Sequence, residues 1–407
     1  MHPSVQCFAV EQLDPVGAPA NRWGFRFVRQ RKRDIVTSFR DGSQRRLEKT
    51  ANLELIFGEA SFTAPKAVAV RLQNGSPRAL TADRIFINAG ARPAVPKLDG
   101  LKDVPFLDST SIMELDAVPE HLLVLGGGYV GLEFGQMFRR FGSRVTIVQS
   151  GAQLLADEDL DVATEVATIL KQDGIEILLN AKAQRVTKSA AGIELTVRSG
   201  AEARTLSGSH LLLATGRVPN TDTMNVAAAG IATDTKGYIR ANSRLETNVE
   251  GVYVLGDIKG GPAFTHISYD DFRILRTNLI EKGRAFTEGR LVPYTVFIDP
   301  QLGRVGLSET EARSQNKKIR VAKMPMKSVA RALETDETRG FLKAIVDAET
   351  NQILGAAVLG IEGGEIAAML QIAMTGRLPF TVLRDGVFAH PNLAESLNNL
   401  FTHFDAS

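Results

Sequence analysis

The chain has 407 residues, 44% hydrophobic and 23% charged, enough for two or three soluble domains with substantial cores. Its 48 basic and 46 acidic side chains leave a formal charge of +2, which excludes an electrostatic case for nucleic acid or an anionic membrane as partner. One cysteine, Cys7, excludes an intrachain disulfide; with no signal-peptide pattern and no apolar run of membrane-spanning length, the expected address is the cytoplasm.

In chain order, the basic run RQRKRD (29–34) reads as a solvated face. From about Asp34 to Pro96 the text is strand-rich, closing on RIFINAGARP (84–93), an apolar strand that runs into a glycine-containing turn. HLLVLGGG follows, a short apolar run without alternation, as expected of a parallel strand buried on both faces. YVGLEFGQMFRRFG predicts a helix with Val130, Phe134 and Phe138 on one face and Gly142 as its stop. SRVTIVQS (143–150) predicts the second strand, and LDVATEVATILKQDG (160–174) a second amphipathic helix ended by glycine. IEILLN, IELTVRS and SHLLLATGRVPN (209–220) have the character of strands that complete a nucleotide-binding domain. Thr221 to Gly289 carries a strand, a glycine-rich turn and a long helix; from about Arg290 the pattern is strand-rich and then helical. The class is α/β with an α+β C-terminal part.

The turn after HLLVL carries the first chemical signal. Gly126, Gly128 and Gly131 stand at the positions of GxGxxG: the first permits a tight turn, the second lets backbone approach a pyrophosphate, the third lets helix pack closely on strand. The helix that begins at Tyr129 and Val130 presents its N-terminal amides and partial positive charge to the phosphates. An acidic residue at the end of the second strand would bond a ribose 2′-hydroxyl, and an arginine would favour a 2′-phosphate. The chain has Gln149 and Ser150 there, so NAD or NADP stays open.

Five separated stretches then carry a resemblance: GGGYVGLE (126–133), ATGRVPNT (214–221), GVYVLGD (251–257), VFIDPQLGRVGLSE (296–309) and HPNLAE (390–395). In this order they resemble the class I pyridine nucleotide-disulfide oxidoreductases, the family of dihydrolipoamide dehydrogenase, glutathione reductase and mercuric reductase, over roughly Asp34 to the C-terminus. AFTHISYDDFRIL (263–275) is most similar to the mercuric-reductase-like branch. The resemblance implies a Rossmann-type NAD(P)-binding domain inserted in an FAD-binding domain, plus a C-terminal dimerisation domain that makes a homodimer. It places Glu133 near flavin and nicotinamide, and Tyr129 as the ring that covers the flavin until NAD(P)H displaces it. Gly216, Gly256, Asp257 and Thr265 fall at flavin-binding positions, Asp257 holding the ribityl chain and Thr265 opening a helix aimed at the flavin's pyrimidine edge. His390 and Glu395 match an acid/base pair that serves the neighbouring subunit's active site. For the latter, NLAE also reads as a capping box, with Asn392 as the cap.

The chain departs from the family at its start. No GxGxxG precedes Gly126, Cys7 has no partner for a Cys-x4-Cys, and residues 1 to about 30 resemble nothing in the family. The expectation is an N-terminally truncated member in which the FAD-binding domain is incomplete and FAD affinity weakened. The expected boundaries are 1–118 for the remnant of the FAD-binding domain, 119–220 for the NAD(P) domain, 221–289 for the second FAD segment and 290–407 for the dimerisation domain. The expected activity is hydride transfer from NAD(P)H to flavin and on to a small-molecule, thiol or metal acceptor. Mercury is not predicted as the substrate, because the tail NNLFTHFDAS lacks vicinal cysteines. No resident metal site is expected. The alternatives are a disulfide-independent NAD(P)H oxidase or diaphorase, and a non-catalytic nucleotide-binding remnant.

Overall fold

The computed structural model describes residues 23–190 and 192–405; Cys7 and the rest of the first 22 residues lie outside them. The described chain opens with α1 (Trp23–Glu48), then β1 (Gly58–Ala64), β2 (Ala67–Leu72), β3 (Pro77–Thr81), β4 (Ile85–Ile87) and β5 (Ala91–Pro93). Next come β6 (His121–Leu125), α2 (Tyr129–Arg140), β7 (Arg144–Val148), α3 (Leu160–Gln172), β8 (Glu176–Leu178) and β9 (Ala181–Ser189). They are followed by β10 (Gly192–Ser199), β11 (Glu202–Gly208), β12 (His210–Leu213), β13 (Arg217–Pro219), β14 (Val252–Val254) and α4 (Thr265–Leu279). The C-terminal part holds β15 (Tyr294–Val296), β16 (Gln301–Gly306), α5 (Glu309–Ser314), β17 (Ile319–Pro325), α6 (Ala330–Glu334) and β18 (Phe341–Asp347). It ends in β19 (Ile353–Gly360), α7 (Gly363–Thr375), α8 (Phe380–Arg384) and α9 (Ser396–Leu400).

The long α1 corrects the strand-rich reading that began at Asp34. Phe25, Val28, Ile35 and Phe39 recur at helical spacing, and the residues between them are mostly arginine, lysine and glutamine, which favour helix over strand. Side-chain bonds one turn apart support it, from Gln30 to Asp34 and from Gln44 to Glu48, each at 2.8 Å. Only part of the basic run is solvated: Gln30, Arg31 and Asp34 are exposed, whereas Arg29, Lys32 and Arg33 are half-buried.

The chain forms two compact units. The first joins Arg26–Ala94 to Gly216–Arg290 and the second joins Val95–Thr215 to Leu291–Ser407, so residues 95–215 interrupt the first unit in sequence. Within the first unit, β1-β2-β3 is an antiparallel sheet, β4 and β14 pair in parallel with Ile85 opposite Val252 and Ile87 opposite Val254, and β5 pairs antiparallel with β13. Ile87, Val252, Val254 and Ile258 form its core with Phe62. On the strand pair, Phe86 is half exposed and stacks on Tyr253 with ring centroids 5.2 Å apart. Because β4 and β14 run the same way, the turns that follow them lie at one carboxyl edge, where parallel sheets place ligands.

The second unit has a parallel sheet in the order β12-β6-β7-β8, an antiparallel sheet β11-β10-β9, and a five-stranded antiparallel sheet β15-β16-β19-β18-β17. Every residue of β6 is buried, as its unbroken apolar run requires. Phe138 and Ile147 of the segment 95–215 share one core with Val296, Leu302 and Leu359 of the C-terminal segment, so the regions expected as 119–220 and 290–407 pack as one unit. Residues 95–118, expected in the first domain, also belong here. The Leu107 amide donates to the Leu211 carbonyl at 2.7 Å, and Ile112 is fully buried in the same core. The chain returns to the first unit at Gly216 rather than at Thr221.

Candidate functional site

In the second unit, the glycine turn connects β6 to α2. Gly126 has φ +111°, its amide donates to the Val148 carbonyl at 2.9 Å, and a Cβ there would lie 2.3 Å from the Ala214 carbonyl oxygen. A Cβ on Gly131 would lie 2.1 Å from the Gly126 carbonyl oxygen, so the first turn of α2 lies against the loop itself. Gly128 differs from both: it is exposed, precedes the helix as its N-cap, and a Cβ on it would meet nothing within 4 Å. No side chain caps the helix there, and Tyr129 and Val130 follow as its half-buried first residues. Open space in front of an uncapped helix N-terminus fits a diphosphate.

Gln149 is placed differently from the expectation that it faces a ribose. Its side chain folds back on the turn, accepting from the Gly127 amide at 3.1 Å and donating to the Gln153 carbonyl at 3.1 Å. The short reach from the end of β7 to the turn makes this the nearer partner; Ser150 stays exposed beside it. Glu133, on the first turns of α2, accepts from the Phe297 amide at 2.9 Å. Burial pushes its carboxyl up to about 7, the Phe297 amide opposing the rise only in part.

In the first unit, Gly216 (φ +126°) leads into β13, and Gly256 and Asp257 form the turn after β14. The Asp257 carboxylate lies 3.9 Å from Arg217 Nε, too far for a hydrogen bond, and among the described residues no other donor reaches it. Arg217 Nε is itself buried without a partner, while Nη2 of the same guanidinium donates to the Ala91 carbonyl. A leftover acceptor and a leftover buried donor side by side fit a polyhydroxyl chain, whose groups both give and take hydrogen bonds. Thr265 begins α4, whose N-terminus also has no side-chain cap.

In the C-terminal segment, His390 Nδ1 lies 2.9 Å from Glu395 Oε2, with the imidazole 69% exposed. The capping box is not formed: Asn392 precedes the short 3-10 turn Leu393–Glu395 without a side-chain bond to it, and the Glu395 carboxylate goes to the imidazole instead.

Residues 2–271 match the family model described as pyridine nucleotide-disulphide oxidoreductase, and residues 292–401 match the dimerisation domain of the same family. The chain belongs to the pyridine nucleotide-disulfide oxidoreductase family. The match begins at residue 2, so the stretch up to about residue 30, read above as unlike the family, falls inside it. A probable pyridine nucleotide-disulfide oxidoreductase, RclA of Escherichia coli (strain K12), is 39% identical over 380 residues, which cover 92% of this chain and 85% of the relative. The mercuric reductase of Staphylococcus aureus is 31% identical over 378 residues, covering 91% of this chain and 68% of the relative. Among solved structures, the HOCl-induced flavoprotein disulfide reductase RclA from Escherichia coli is similar with a TM-score of 0.86 at 37% identity, covering 92% of this chain and 85% of that one.

The chain is therefore an oxidoreductase of a family of FAD flavoproteins that use NAD(P)H, and the reading as a non-catalytic remnant is not favoured. The C-terminal segment is the family's dimerisation domain. Among the described residues, no helix is long and apolar enough to cross a membrane. Sequence reasoning missed Arg217, which follows Gly216 in ATGRVPNT and had a visible signal as a basic residue next to a glycine expected at the flavin. It also missed a buried carboxylate on α4, Asp271, although it lies within AFTHISYDDFRIL, because nothing in that stretch distinguishes it from the neighbouring Asp270.

Proposed function

We propose that this chain is a cytoplasmic, homodimeric, FAD-dependent NAD(P)H oxidoreductase that binds the nicotinamide dinucleotide at the Gly126–Gly131 turn and FAD beside Arg217 and Asp257. The observation that carries the reading is the pairing of two binding chemistries in one family scaffold. One is an uncapped helix N-terminus open in front of Gly128; the other is the unsatisfied Asp257 and Arg217 groups. Held by Asp257 and Arg217, FAD would supply a two-electron acceptor for the hydride of the nicotinamide.

Each residue has a role that its chemistry supports. The amides following Gly128 hold the diphosphate, and Asp257 accepts from ribityl hydroxyls while Arg217 donates to the same chain. The N-terminus of α4 at Thr265 favours negative charge on the pyrimidine edge. Glu133, with its carboxyl near neutrality, holds or releases a proton near the nicotinamide. Glu395 orients His390, whose exposed imidazole supplies the proton at the other subunit's acceptor site. Gln149 and Ser150 carry no charge, so neither a 2′-hydroxyl nor a 2′-phosphate is repelled, and both NADH and NADPH serve as donors. The acceptor is a small oxidised molecule.

The test is a titration of the full chain, freed of flavin, with FAD, followed by anaerobic addition of NADH or NADPH. Saturable FAD binding and loss of the oxidised flavin band with either nucleotide support the reading. A chain that binds neither FAD nor NAD(P)H overturns it.

A further inference from the structure

A fully buried carboxylate is costly unless donors and opposite charges surround it. Asp271 on α4 has 0% of its side chain exposed, and three donors converge on it. The Gly256 amide reaches Oδ2 at 2.9 Å, Lys259 Nζ reaches the same oxygen at 3.2 Å, and Arg290 Nη1 reaches Oδ1 at 2.7 Å. Arg290 also bonds the neighbouring Asp270 at 3.2 Å, so it anchors the helix side of the cluster.

Gly256 and Lys259 are the two ends of the single 3-10 turn that carries Asp257. The turn starts at φ +72°, and the bond from the Gly256 amide to Asp271 fixes the Leu255–Gly256 peptide at its entry. One carboxylate thus fastens both ends of the turn, while the Asp257 oxygens between them take no hydrogen bond from the described residues and have only the Arg217 guanidinium near, at 3.9 Å. We propose that Asp271, with Lys259 as its tether, is a positioning residue for the flavin: it holds the Gly256–Lys259 turn so that Asp257 presents a carboxylate with open hydrogen-bonding capacity to the ribityl hydroxyls. Asp271 makes no cofactor contact of its own. The inference rests on the assignment of Asp257 to the flavin.

The test is a double-mutant cycle read as the FAD dissociation constant of the full chain, freed of flavin, using Lys259→Met, Asp257→Asn and the double variant. Lys259→Met loosens the turn without placing a new group in it, and keeps the Arg290 and Gly256 bonds to Asp271. It is expected to weaken FAD binding about tenfold, the worth of one charge-assisted bond. In the Asp257→Asn background the same change is expected to cost less than about twofold, because the group it positions is already gone. An unchanged dissociation constant for Lys259→Met, or an equal loss in both backgrounds, overturns the positioning role while leaving the cofactor assignment intact. Failure of the unsubstituted chain to bind FAD sinks the cofactor assignment itself. Asp271→Asn supplies a second readout: hydrogen exchange at the Gly256 amide is expected to rise at least about tenfold without a comparable rise in the β4–β14 pair. Equal exchange at Gly256 in both proteins contradicts the anchoring.

Discussion

Replacing Gly128 with alanine separates folding from binding at the nicotinamide site. The position is extended, with φ −84° and ψ 175°, so alanine adopts it without strain, and its methyl group would meet no atom within 4 Å. Loss of glycine at an N-cap costs up to about 1 kcal/mol, and restricting the unfolded chain returns about 0.4–1 kcal/mol, so the net change in stability is close to zero. Binding has no such compensation. The methyl occupies the space in front of the helix N-terminus and pushes the diphosphate away from the amides; one or two charge-assisted bonds lost at about 1.5–3 kcal/mol each weaken binding at least about tenfold. The assay is NADH and NADPH titration by calorimetry, alongside thermal unfolding. Gly131→Ala is the opposite control, since its Cβ would lie 2.1 Å from the Gly126 carbonyl oxygen and must disturb the fold itself. A Gly128→Ala protein that binds both nucleotides as tightly as the natural chain would refute the assignment of that space to the diphosphate.

Three further outcomes follow from charged groups. Lys343 is 3% exposed and lies 3.1 Å from Asp159, 3.0 Å from Asp161 and 2.9 Å from Glu309. Lys343→Met leaves three carboxylates with too little opposing charge and should lower unfolding stability by about 3–5 kcal/mol in urea; a loss under about 1 kcal/mol contradicts the reading. For Glu133, burial places the folded carboxyl at about 7, above its ordinary value of 4.5, so the native state binds the proton more tightly and stability falls as pH rises between those values. Glu133→Gln should therefore match the natural chain at acid pH and exceed it by up to about 3 kcal/mol above neutrality; an equal gain at both ends of the range argues against a buried, titrating carboxyl. His390→Asn should slow steady-state turnover about 10²-fold while leaving single-turnover flavin reduction by NAD(P)H unchanged, and an equal loss in both would remove it from the acceptor side of the reaction.

The parts of the fold legible in the sequence are those with an unambiguous local period. The apolar run before Gly126 could only be a strand buried on both faces, and α2 and α3 showed helical spacing closed by Gly142 and Gly174. α1 was harder to read, because its apolar residues are interrupted by arginines and the chain just beyond it is rich in β-formers. The compact units divide at 94 and 215, not at the expected 118 and 220, for a non-local reason: Leu107 pairs with Leu211 across a long stretch of sequence, which draws residues 95–118 into the second unit. Around the turn, Gly126 and Gly131 were legible because each answers a separate steric demand within the chain, whereas Gly128 meets none and was marked by its spacing alone. The fold-back of Gln149 onto Gly127 and the convergence of Gly256, Lys259 and Arg290 on Asp271 depend on three-dimensional proximity that no spacing encodes.

Hydride movement from nicotinamide to flavin in this chain is tested most directly by rapid anaerobic mixing of its FAD complex with NADPH or NADH deuterated at the transferable position. The account predicts loss of the oxidised flavin band on a single-turnover timescale, slower with the deuterated nucleotide than with the ordinary one. A flavin band that persists in excess nucleotide, with nucleotide demonstrably bound, would contradict it.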